Sequence, residues 1–313
     1  MKAAQLLKYG GQDSVQVKNA VTQPIPLVGE ILVEVYAAAV NPFDWKLREG
    51  AYKEYINLDL PATLGGDVAG VIAAVGEDVE GVEVGQEVFG QANAVSGKGS
   101  LAEFTIVKAD HIAPKPANID FVYSAALPLA ATSAYQALVD HMGLQAGQQV
   151  LIHGGAGGIG SFAIQIAKTI GAHVTTTVSA ADADFVKSLG ADVVIDYETQ
   201  NFAELVKDLD AVFDNVGGET NTNSYQVIKP GGHLVSMLVP PNDELVNQYQ
   251  VIYTQQNSQA TSERLIAVAE MASTGQLKIN VDKVFSLDQA PEALEYLKTG
   301  HPKGKVVVQV KEA

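Results

Sequence analysis

The sequence predicts an α/β protein in which a doubly wound parallel sheet is combined with a separate all-β unit. Over about the first 120 residues, short strands are separated by Gly, Pro, Asn and Asp turns, which is typical of a barrel or sandwich. From about residue 150 onward, short apolar strands alternate with helices. That alternation indicates βαβ units and a parallel sheet whose two faces are both covered.

The strands of the first unit are visible as alternating patterns. Ile31, Val33 and Val35 alternate with Glu30 and Glu34, as expected of a strand with one buried and one solvated face. Further strands of this unit are predicted at residues 67–75, 87–90 and 102–107.

The middle of the chain carries the parallel sheet. An Ala- and Leu-rich stretch predicts a helix over 124–140. The strands predicted after it, separated by helices or turns, are residues 150–153, 174–178, 193–196, 211–214 and 233–239.

The last 50 or so residues hold too few segments for a third core. They predict helices 261–273 and 290–297 and strands 282–286 and 305–310. Because chain ends often return to an existing sheet, these segments are predicted to complete the first unit. The predicted domains are therefore residues 1–122 with 260–313, and residues 123–259.

Composition and charge exclude several classes of function. The 313 residues carry 20 Lys and Arg against 36 Asp and Glu, a net charge of −16, and no Cys. The acidic balance opposes binding to nucleic acid or anionic membranes, and the lack of Cys excludes disulfides, thiolate nucleophiles and Cys-bound zinc. No apolar run reaches the ~18 residues of a membrane span, and none near the N-terminus indicates a signal peptide. We therefore expect a cytoplasmic protein.

A glycine-rich turn carries the strongest functional signal. After the strand 150–153, the pattern G-x-G-x-x-G precedes a helix predicted at 161–170. In this context the glycines allow a tight turn, the approach of a pyrophosphate and close helix packing, and the helix N-terminus binds the anion. The alternative is a turn that is merely compact. We predict dinucleotide contacts from Gly155, Ala156, Gly157, Gly158, Ile159 and Gly160.

The second strand of the parallel sheet bears on the choice of dinucleotide. It ends at Ser179, without the Asp or Glu that accepts hydrogen bonds from the ribose of NAD. The Ser179 hydroxyl can donate to a 2′-phosphate, yet no Lys or Arg follows before Lys187, whereas Asp182 and Asp184 do. We prefer NADPH on the usual rule for 2′-phosphate recognition, with NADH as the alternative.

Several segments together give the chain a specific resemblance over nearly its full length. They are the glycine-rich turn and residues 38–44, 64–70, 125–130, 213–218, 229–232 and 300–307. In them the chain resembles the zinc-independent quinone oxidoreductase branch of the medium-chain dehydrogenases/reductases, which includes zeta-crystallin. The resemblance implies a GroES-like β-barrel catalytic domain formed by both chain ends, a Rossmann domain between them, a cofactor cleft at their junction and a homodimer.

The resemblance also bears on metal. Zinc-dependent relatives hold their catalytic metal with a Cys, a Gly-His-Glu motif and a further Cys or Asp. Here Asn41 stands near the place of the first ligand, and Gly66 and Asp67 replace His-Glu. No thiolate or imidazole remains there for a tetrahedral zinc site, so we expect no metal. Without a Lewis acid, the natural hydride acceptors are quinones or activated double bonds.

The site residues follow mostly from the resemblance. Asn41 matches the family's Asn beside the nicotinamide, and Tyr52 matches an active-site aromatic of the family. Lys46 departs from the family, since several relatives carry there a Tyr that contacts the cofactor. These three are the catalytic candidates, and Asn41 and Lys46 are also predicted to contact the cofactor. The other cofactor contacts are predicted at Thr132, Ser179, Tyr197, Asn215, Val216, Gly217 and Lys305. The run Asn215–Gly217 also follows the fourth strand, at the edge where open α/β sheets bind ligands.

Several of these residue types also suit purely structural roles. Asp67 is expected to cap a turn or to pair with Lys46 or Arg48. Asn41 is also suited to a turn before Pro42, Lys46 to the solvated surface, and Tyr52 to packing in the core. The hydroxyl of Thr132 can instead bond the backbone of its own helix, and Lys305 can be a charge at the start of a strand.

These observations predict a zinc-free oxidoreductase that transfers hydride from NADPH to quinones, with Tyr52 or solvent delivering the proton. A rival with the same fold reduces the double bond of a 2-alkenal, an enone or an enoyl thioester. A rival of another class is a zeta-crystallin-like protein that binds nucleotide with little turnover.

Overall fold

The computed structural model describes residues 1–312. Its strands are β1 (Ala3–Leu6), β2 (Val15–Lys18), β3 (Glu30–Val40), β4 (Ala62–Thr63), β5 (Asp67–Val75), β6 (Glu87–Gln91), β7 (Phe104–Lys108), β8 (Ile112–Pro114), β9 (Gln149–His153), β10 (His173–Val178), β11 (Val193–Asp196), β12 (Leu209–Asp214), β13 (Ile228–Ser236), β14 (Ile252–Gln255), β15 (Val281–Ser286) and β16 (Lys305–Gln309).

The α-helices lie between these strands. They are α1 (Pro42–Arg48), α2 (Phe121–Ala125), α3 (Pro128–Tyr135), α4 (Gly158–Ile170), α5 (Ala183–Ser188), α6 (Phe202–Leu205), α7 (Gly218–Ser224), α8 (Asp243–Tyr249), α9 (Ser262–Ser273) and α10 (Ala290–Thr299). No helix within residues 1–312 is both long enough and apolar enough to cross a bilayer.

The chain forms two compact units. Unit 1 comprises Met1–Leu129, Ala260–Ser273 and the residues from Ile279 onward, and unit 2 comprises Ala130–Gln259 and Thr274–Lys278. The sequence-based division differs at two places. It puts the first boundary after residue 122 rather than after Leu129, and it assigns residues 274–278 to the first domain rather than to unit 2.

Unit 1 is built on two sheets. The larger has the strand order β15-β16-β3-β5-β6-β8, with β7 also paired to β3, and the smaller has the order β2-β1-β4. Ile31, Val33 and Val35 of β3 are buried, as their alternation with glutamates predicts. β3 and β5 run so close together that a Cβ on Gly70 would come within 2.0 Å of the carbonyl oxygen of Glu34.

The last strand of the chain pairs with β3 inside unit 1. In this antiparallel pair Val306 lies opposite Val40 and Val308 opposite Ala38, and β15 joins β16 in parallel. Because β3 ends directly before Asn41 and β16 begins at Lys305, the pairing brings these two residues side by side.

Unit 2 contains one parallel sheet with the order β11-β10-β9-β12-β13-β14. The chain winds outward from β9 to β11 on one side and from β12 to β14 on the other. Ligands bind open α/β sheets outside the carboxyl ends of the strands, at the point where the order reverses, here between β9 and β12. The predicted doubly wound sheet is confirmed.

Two helix predictions are wrong in detail. The helix predicted over 124–140 is broken, since α2 ends at Ala125, α3 begins at Pro128, and residues 136–141 form a π-helical turn after α3. Proline lacks the N–H that would continue a helix and so begins a new one. The helix predicted from Ser161 begins at Gly158, because the N–H of Ser161 already donates to the carbonyl oxygen of Gly157 at 3.0 Å.

Candidate active site

Four strands of unit 2 end side by side and bring candidate residues to one edge of the sheet. In the register of β10, Thr177 lies opposite His153 of β9 and Val178 opposite Asp196 of β11, while β12 lies on the other side of β9. The residues that follow these strands therefore share an edge: Tyr197, Ser179, the glycine-rich turn and Asn215.

Geometry requires glycine at most positions of the turn, for different reasons. Gly154 has φ +72°, a left-handed conformation that favours glycine. A Cβ on Gly155 would lie 2.1 Å from Thr176 Oγ1, and one on Gly160 would lie 2.2 Å from the carbonyl oxygen of Gly154. At Gly157 a Cβ would meet only that oxygen among the described residues, at 3.5 Å. A Cβ on Gly157 is therefore accommodated without a steric clash.

The sequence motif misses the glycine that makes the tight turn. Gly154 precedes the G-x-G-x-x-G pattern by one residue and directly follows β9. Its position immediately after a buried strand is the signal that identifies it, because the chain must reverse there to enter α4.

The helix that follows the turn offers backbone donors. α4 has 13 residues and begins at Gly158, with Gly157 as an N-cap that provides no side chain. The N–H groups of a first helical turn have no carbonyl partner one turn earlier, and the dipole of the helix adds positive potential there. Because the backbone at Gly157 is not crowded by other side chains, this end of α4 fits a pyrophosphate.

The turn after β12 contains a buried acceptor that lacks a donor. Asn215 Nδ2 donates to the carbonyl oxygen of His153 at 3.1 Å, which fixes the orientation of the amide. Asn215 Oδ1 is buried and has no hydrogen-bond partner among residues 1–312. Because buried acceptors are nearly always satisfied, this atom fits a donor on a bound molecule, such as a ribose hydroxyl or the carboxamide N–H of a nicotinamide.

Ser179 and Tyr197, the residues predicted to contact the adenosine half of the cofactor, lie at the same edge. The N–H of Tyr197 donates to the carbonyl oxygen of Val178 at 3.2 Å, and the Tyr197 side chain is exposed. The Ser179 hydroxyl, which the sequence suggests as a donor to a 2′-phosphate, donates to Asp182 Oδ2 at 2.9 Å. A carboxylate therefore lies beside the predicted 2′-phosphate contact.

His153 is buried at the end of β9 as part of the support of this edge. Its Nδ1 lies 3.0 Å from Thr177 Oγ1 and its Nε2 lies 3.1 Å from Ser224 Oγ, while its ring packs edge-on against Phe202. Burial lowers the pKa of His153 to about 4, against the opposing effect of the Asp214 charge. The folded protein therefore holds this imidazole neutral.

The lowered pKa of His153 predicts a loss of stability in acid. As the pH falls from 6.5 to 4, the unfolded chain gains a proton at His153 that the folded chain does not bind, so unfolding becomes more favourable. We expect about 3 kcal/mol to be lost by pH 4 from this group, measured by urea unfolding across that range. In His153→Gln this part of the pH dependence should vanish; an unchanged slope in the variant would contradict the assignment.

Unit 1 contains a buried cluster of polar side chains at the junction of β3 and β16. Asn41 Nδ2 donates to Asp67 Oδ2 at 2.9 Å, and the Lys305 ammonium donates to Asn41 Oδ1 and, at 3.1 Å, to Asp67 Oδ2. The backbone N–H of Asn41 donates to Asp44 Oδ2 at 2.7 Å. All four residues are buried.

The charges of this cluster differ from the sequence-based expectation. The expected pairing of Asp67 with Lys46 or Arg48 is wrong, because Asp67 pairs with Lys305 and Arg48 pairs with two glutamates. Lys305 is distant in sequence, and only the β3–β16 pairing brings it close. Burial, opposed by the backbone hydrogen bond from Asn41 and assisted by the Asp67 charge, raises the pKa of Asp44 to about 7.

The remaining candidates lie in different surroundings. Lys46 Nζ lies 5.6 Å from the centre of the Trp45 ring. The ring of Tyr52 stacks on Phe43 with centroids 5.0 Å apart, and Thr132 is fully buried in α3. The structure therefore brings Asn41 and Lys305 together, but it does not join Lys46 or Tyr52 to their cluster.

Comparison with known proteins identifies the family. Residues 28–117 match the alcohol dehydrogenase GroES-like domain, and residues 189–308 match a zinc-binding dehydrogenase domain. The chain is 37% identical to 2-methylene-furan-3-one reductase of Solanum lycopersicum, over 98% of this chain and 79% of that protein. It is 36% identical to the chloroplastic NADPH-dependent alkenal/one oxidoreductase of Arabidopsis thaliana, with the same coverage.

Solved structures point to the same family. The quinone oxidoreductase of Coxiella burnetii superposes with a TM-score of 0.92 at 33% identity, over 99% of both chains. The chain belongs to the quinone oxidoreductase family of medium-chain dehydrogenases/reductases. An Escherichia coli quinone oxidoreductase solved with NADPH gives a TM-score of 0.89 at 27% identity, over 99% of this chain and all of that one. Membership confirms the expected GroES-like domain and makes this family member an oxidoreductase.

The name of the zinc-binding dehydrogenase domain that residues 189–308 match implies a zinc site. The residues of this oxidoreductase do not fit such a site. The chain has no Cys, and residues 1–312 contain no group of three or more His, Cys, Asp or Glu side chains placed to share a metal ion. Asn41 and Asp67 instead bond the ammonium of Lys305. That buried positive charge opposes the entry of a second cation.

Proposed function

We propose that the protein is an NADPH-dependent quinone reductase that works without zinc. The observation that carries this proposal is the edge of unit 2, where α4 begins beside the uncrowded backbone of Gly157 and Asn215 Oδ1 lacks a donor. These features suit the pyrophosphate and a hydrogen-bonding ribose or carboxamide of a dinucleotide. The relatives named as quinone oxidoreductases support the choice of acceptor.

Each part of the cofactor has proposed contacts. The first turn of α4 and the segment from Gly155 to Gly160 bind the pyrophosphate, and Ser179 and Tyr197 lie toward the adenosine ribose. Asn215, Val216 and Gly217 contact the nicotinamide half. NADPH, when bound, supplies the hydride.

The proposed roles in the reaction belong mainly to unit 1. Asn41 hydrogen-bonds the nicotinamide or the acceptor, and Lys46 steadies a cofactor phosphate or polarises the acceptor carbonyl. Thr132 contributes a hydroxyl near the nicotinamide. Tyr52 or solvent delivers the proton to the reduced oxygen. Positioning and exclusion of water are the main contributions of the protein.

A rate comparison tests the function. We expect the purified protein to oxidise NADPH with a 1,4-quinone, and to transfer deuterium from only one of the two C4-deuterated epimers of NADPH. Cofactor depletion is measured by absorbance, and stereospecific transfer by the isotope effect on that rate. Saturable NADPH binding without oxidation, across a panel of quinones and enones, would refute the proposal and favour a nucleotide-binding role with little turnover.

A second candidate is reduction of an activated double bond in a 2-alkenal, an enone or an enoyl thioester. It is favoured by the names of two relatives, a 2-methylene-furan-3-one reductase and an alkenal/one oxidoreductase. In both reactions a hydride adds to a conjugated system and negative charge grows on a carbonyl oxygen. A kcat/KM for enones far above that for quinones, with deuterium recovered on carbon of the product, would select this reaction instead.

Three finer expectations belong to the same proposal. NADPH is preferred to NADH, although Asp182 lies close to Ser179, and kcat/KM for the two cofactors measures the preference. The chain forms a homodimer, which the half-exposed Ile252 on the edge strand β14 supports, because unpaired edge strands readily join another chain. The protein acts in the cytoplasm, which cell fractionation tests.

A further inference from the structure

The side-chain amide of Asn41 lies between opposite charges. The ammonium of Lys305 donates to Asn41 Oδ1, and Asn41 Nδ2 donates to the carboxylate of Asp67 at 2.9 Å. An ammonium can only donate and an ionised carboxylate can only accept. These two partners therefore fix which end of the amide is oxygen and which is nitrogen.

We call Asp67 and Lys305 the amide clamp. Their charged groups also bond each other at 3.1 Å, which closes a ring of hydrogen bonds through Asn41. Asp67 is anchored from the far side by the backbone N–H of Leu129 at 2.9 Å, and Asp44 holds the backbone N–H of Asn41 at 2.7 Å. Asn41, Asp67 and Lys305 are 5%, 0% and 3% exposed, so water does not loosen the ring.

Stability alone gives a weak reason for this arrangement. The desolvation of a buried ion pair offsets most of its attraction, and apolar residues of similar volume often serve as well. A buried pair that also orients an amide has a second use, because the amide then keeps one direction without rearranging during a reaction.

We propose that Asp67 and Lys305 are positioning residues that fix Asn41 so that it offers one N–H donor to a carbonyl oxygen of the bound nicotinamide or of the acceptor. The inference rests on the proposed function and deepens it. Asn41 Nδ2 has two N–H groups, of which one bonds Asp67 and the other has no partner among residues 1–312. Negative charge grows on the acceptor oxygen during hydride transfer, and a preoriented donor stabilises it.

The proposal assigns Lys305 an indirect role. The two contacts of its ammonium within the described chain are with Asn41 and Asp67, so it acts through Asn41 rather than on the cofactor. Direct contact with the cofactor, as the sequence suggests, makes the opposite prediction in a double-mutant cycle.

The first experiment is that cycle, with kcat as the readout. We expect Lys305→Met and Asp67→Asn each to lower kcat about tenfold when Asn41 is present, and less than twofold in the Asn41→Ala background. Asp67→Asn preserves shape and an acceptor oxygen, and it serves if Lys305→Met does not fold. An equal loss in both backgrounds would show that the clamp residues act directly, and would overturn the proposal.

Two further measurements identify the oxygen that accepts the hydrogen bond from Asn41. If it belongs to the nicotinamide carboxamide, Asn41→Ala raises the Kd of NADPH, measured by fluorescence quenching. If it belongs to the acceptor, the Kd of NADPH stays constant while kcat falls. Either result supports a donor role for Asn41; no change in kcat, Kd or KM would refute it.

A second experiment needs no cofactor. In protein labelled with ¹⁵N-asparagine, we expect the one Asn41 side-chain N–H that bonds Asp67, assigned by its loss in Asn41→Ala, to exchange slowly with solvent. The exchange should quicken at least tenfold in Asp67→Asn, because charged hydrogen bonds protect the amide. Lys311→Met, which removes an exposed lysine paired with Glu34, is the matched control and should not change it. Fast exchange in the unaltered protein would overturn the clamp, whereas failure to oxidise NADPH would overturn only the proposed function.

Discussion

Replacing Gly157 with valine is expected to raise the Kd of NADPH about a hundredfold without lowering the midpoint of thermal unfolding. Gly157 has φ −73° and ψ 176°, an extended conformation that valine adopts readily. Its Cβ would make only an ordinary contact, 3.5 Å from the carbonyl oxygen of Gly154. The added methyl groups would occupy the space in which a pyrophosphate must approach α4, and losing two charge-assisted hydrogen bonds costs about 3 kcal/mol.

Two further variants separate binding from folding in this experiment. Gly160→Ala forces a Cβ to within 2.2 Å of the carbonyl oxygen of Gly154, so it should lower the unfolding midpoint as well as affinity. Gly11→Val is the matched control, because Gly11 has a similar extended backbone with no atom within 4 Å of a Cβ. NADPH binding by Gly157→Val with unchanged Kd, measured by fluorescence quenching, would show that the pyrophosphate binds elsewhere.

The fold is predictable because its signals are local and periodic. The alternation of Ile31, Val33 and Val35 with glutamates reports one buried face, and the apolar runs of β9 and β12 report strands covered on both sides. Each pattern needs only neighbouring residues. The predicted helix over 124–140 fails at Pro128 because composition favours helix on both sides of it, while the proline starts a new helix.

Residues of the candidate site can be predicted from the sequence only where one continuous segment contains them. The glycine-rich turn carries its own geometry, so the proposed dinucleotide-binding edge of unit 2 follows from the sequence, although the motif omits Gly154. The hydrogen bonds between Asn41 and the two residues of the amide clamp, and between those two residues, span sequence separations of 26, 264 and 238 residues. No local pattern records such pairings, which explains why the sequence suggests only a turn cap or the nearby Lys46 or Arg48 as partners of Asp67.

Loss of the Asp214 carboxylate is expected to lower the stability of the chain by a large amount. This carboxylate is fully buried at the end of β12, where it accepts hydrogen bonds from the N–H groups of Val216 and Gly217 at 2.9 and 2.8 Å. Asn221 Nδ2 and Ser236 Oγ also donate to it, at 2.8 and 2.9 Å. We expect Asp214→Ala to lower the free energy of unfolding by about 3–5 kcal/mol, because it leaves four buried or part-buried donors without an acceptor. Urea unfolding measures the loss.

The same variant connects stability to cofactor binding. Asp214 orders the turn that presents Asn215, and Gly217 in that turn has φ +78°, a conformation that the two backbone hydrogen bonds help to maintain. The Kd of NADPH should therefore rise in Asp214→Ala even where the protein is folded, and rise less in Asp214→Asn, which keeps one acceptor oxygen. Glu198→Ala removes an exposed acid from the same unit and should change neither quantity. Unaltered unfolding of Asp214→Ala would mean that Val216, Gly217, Asn221 and Ser236 find other acceptors, and that the turn after β12 does not depend on the carboxylate.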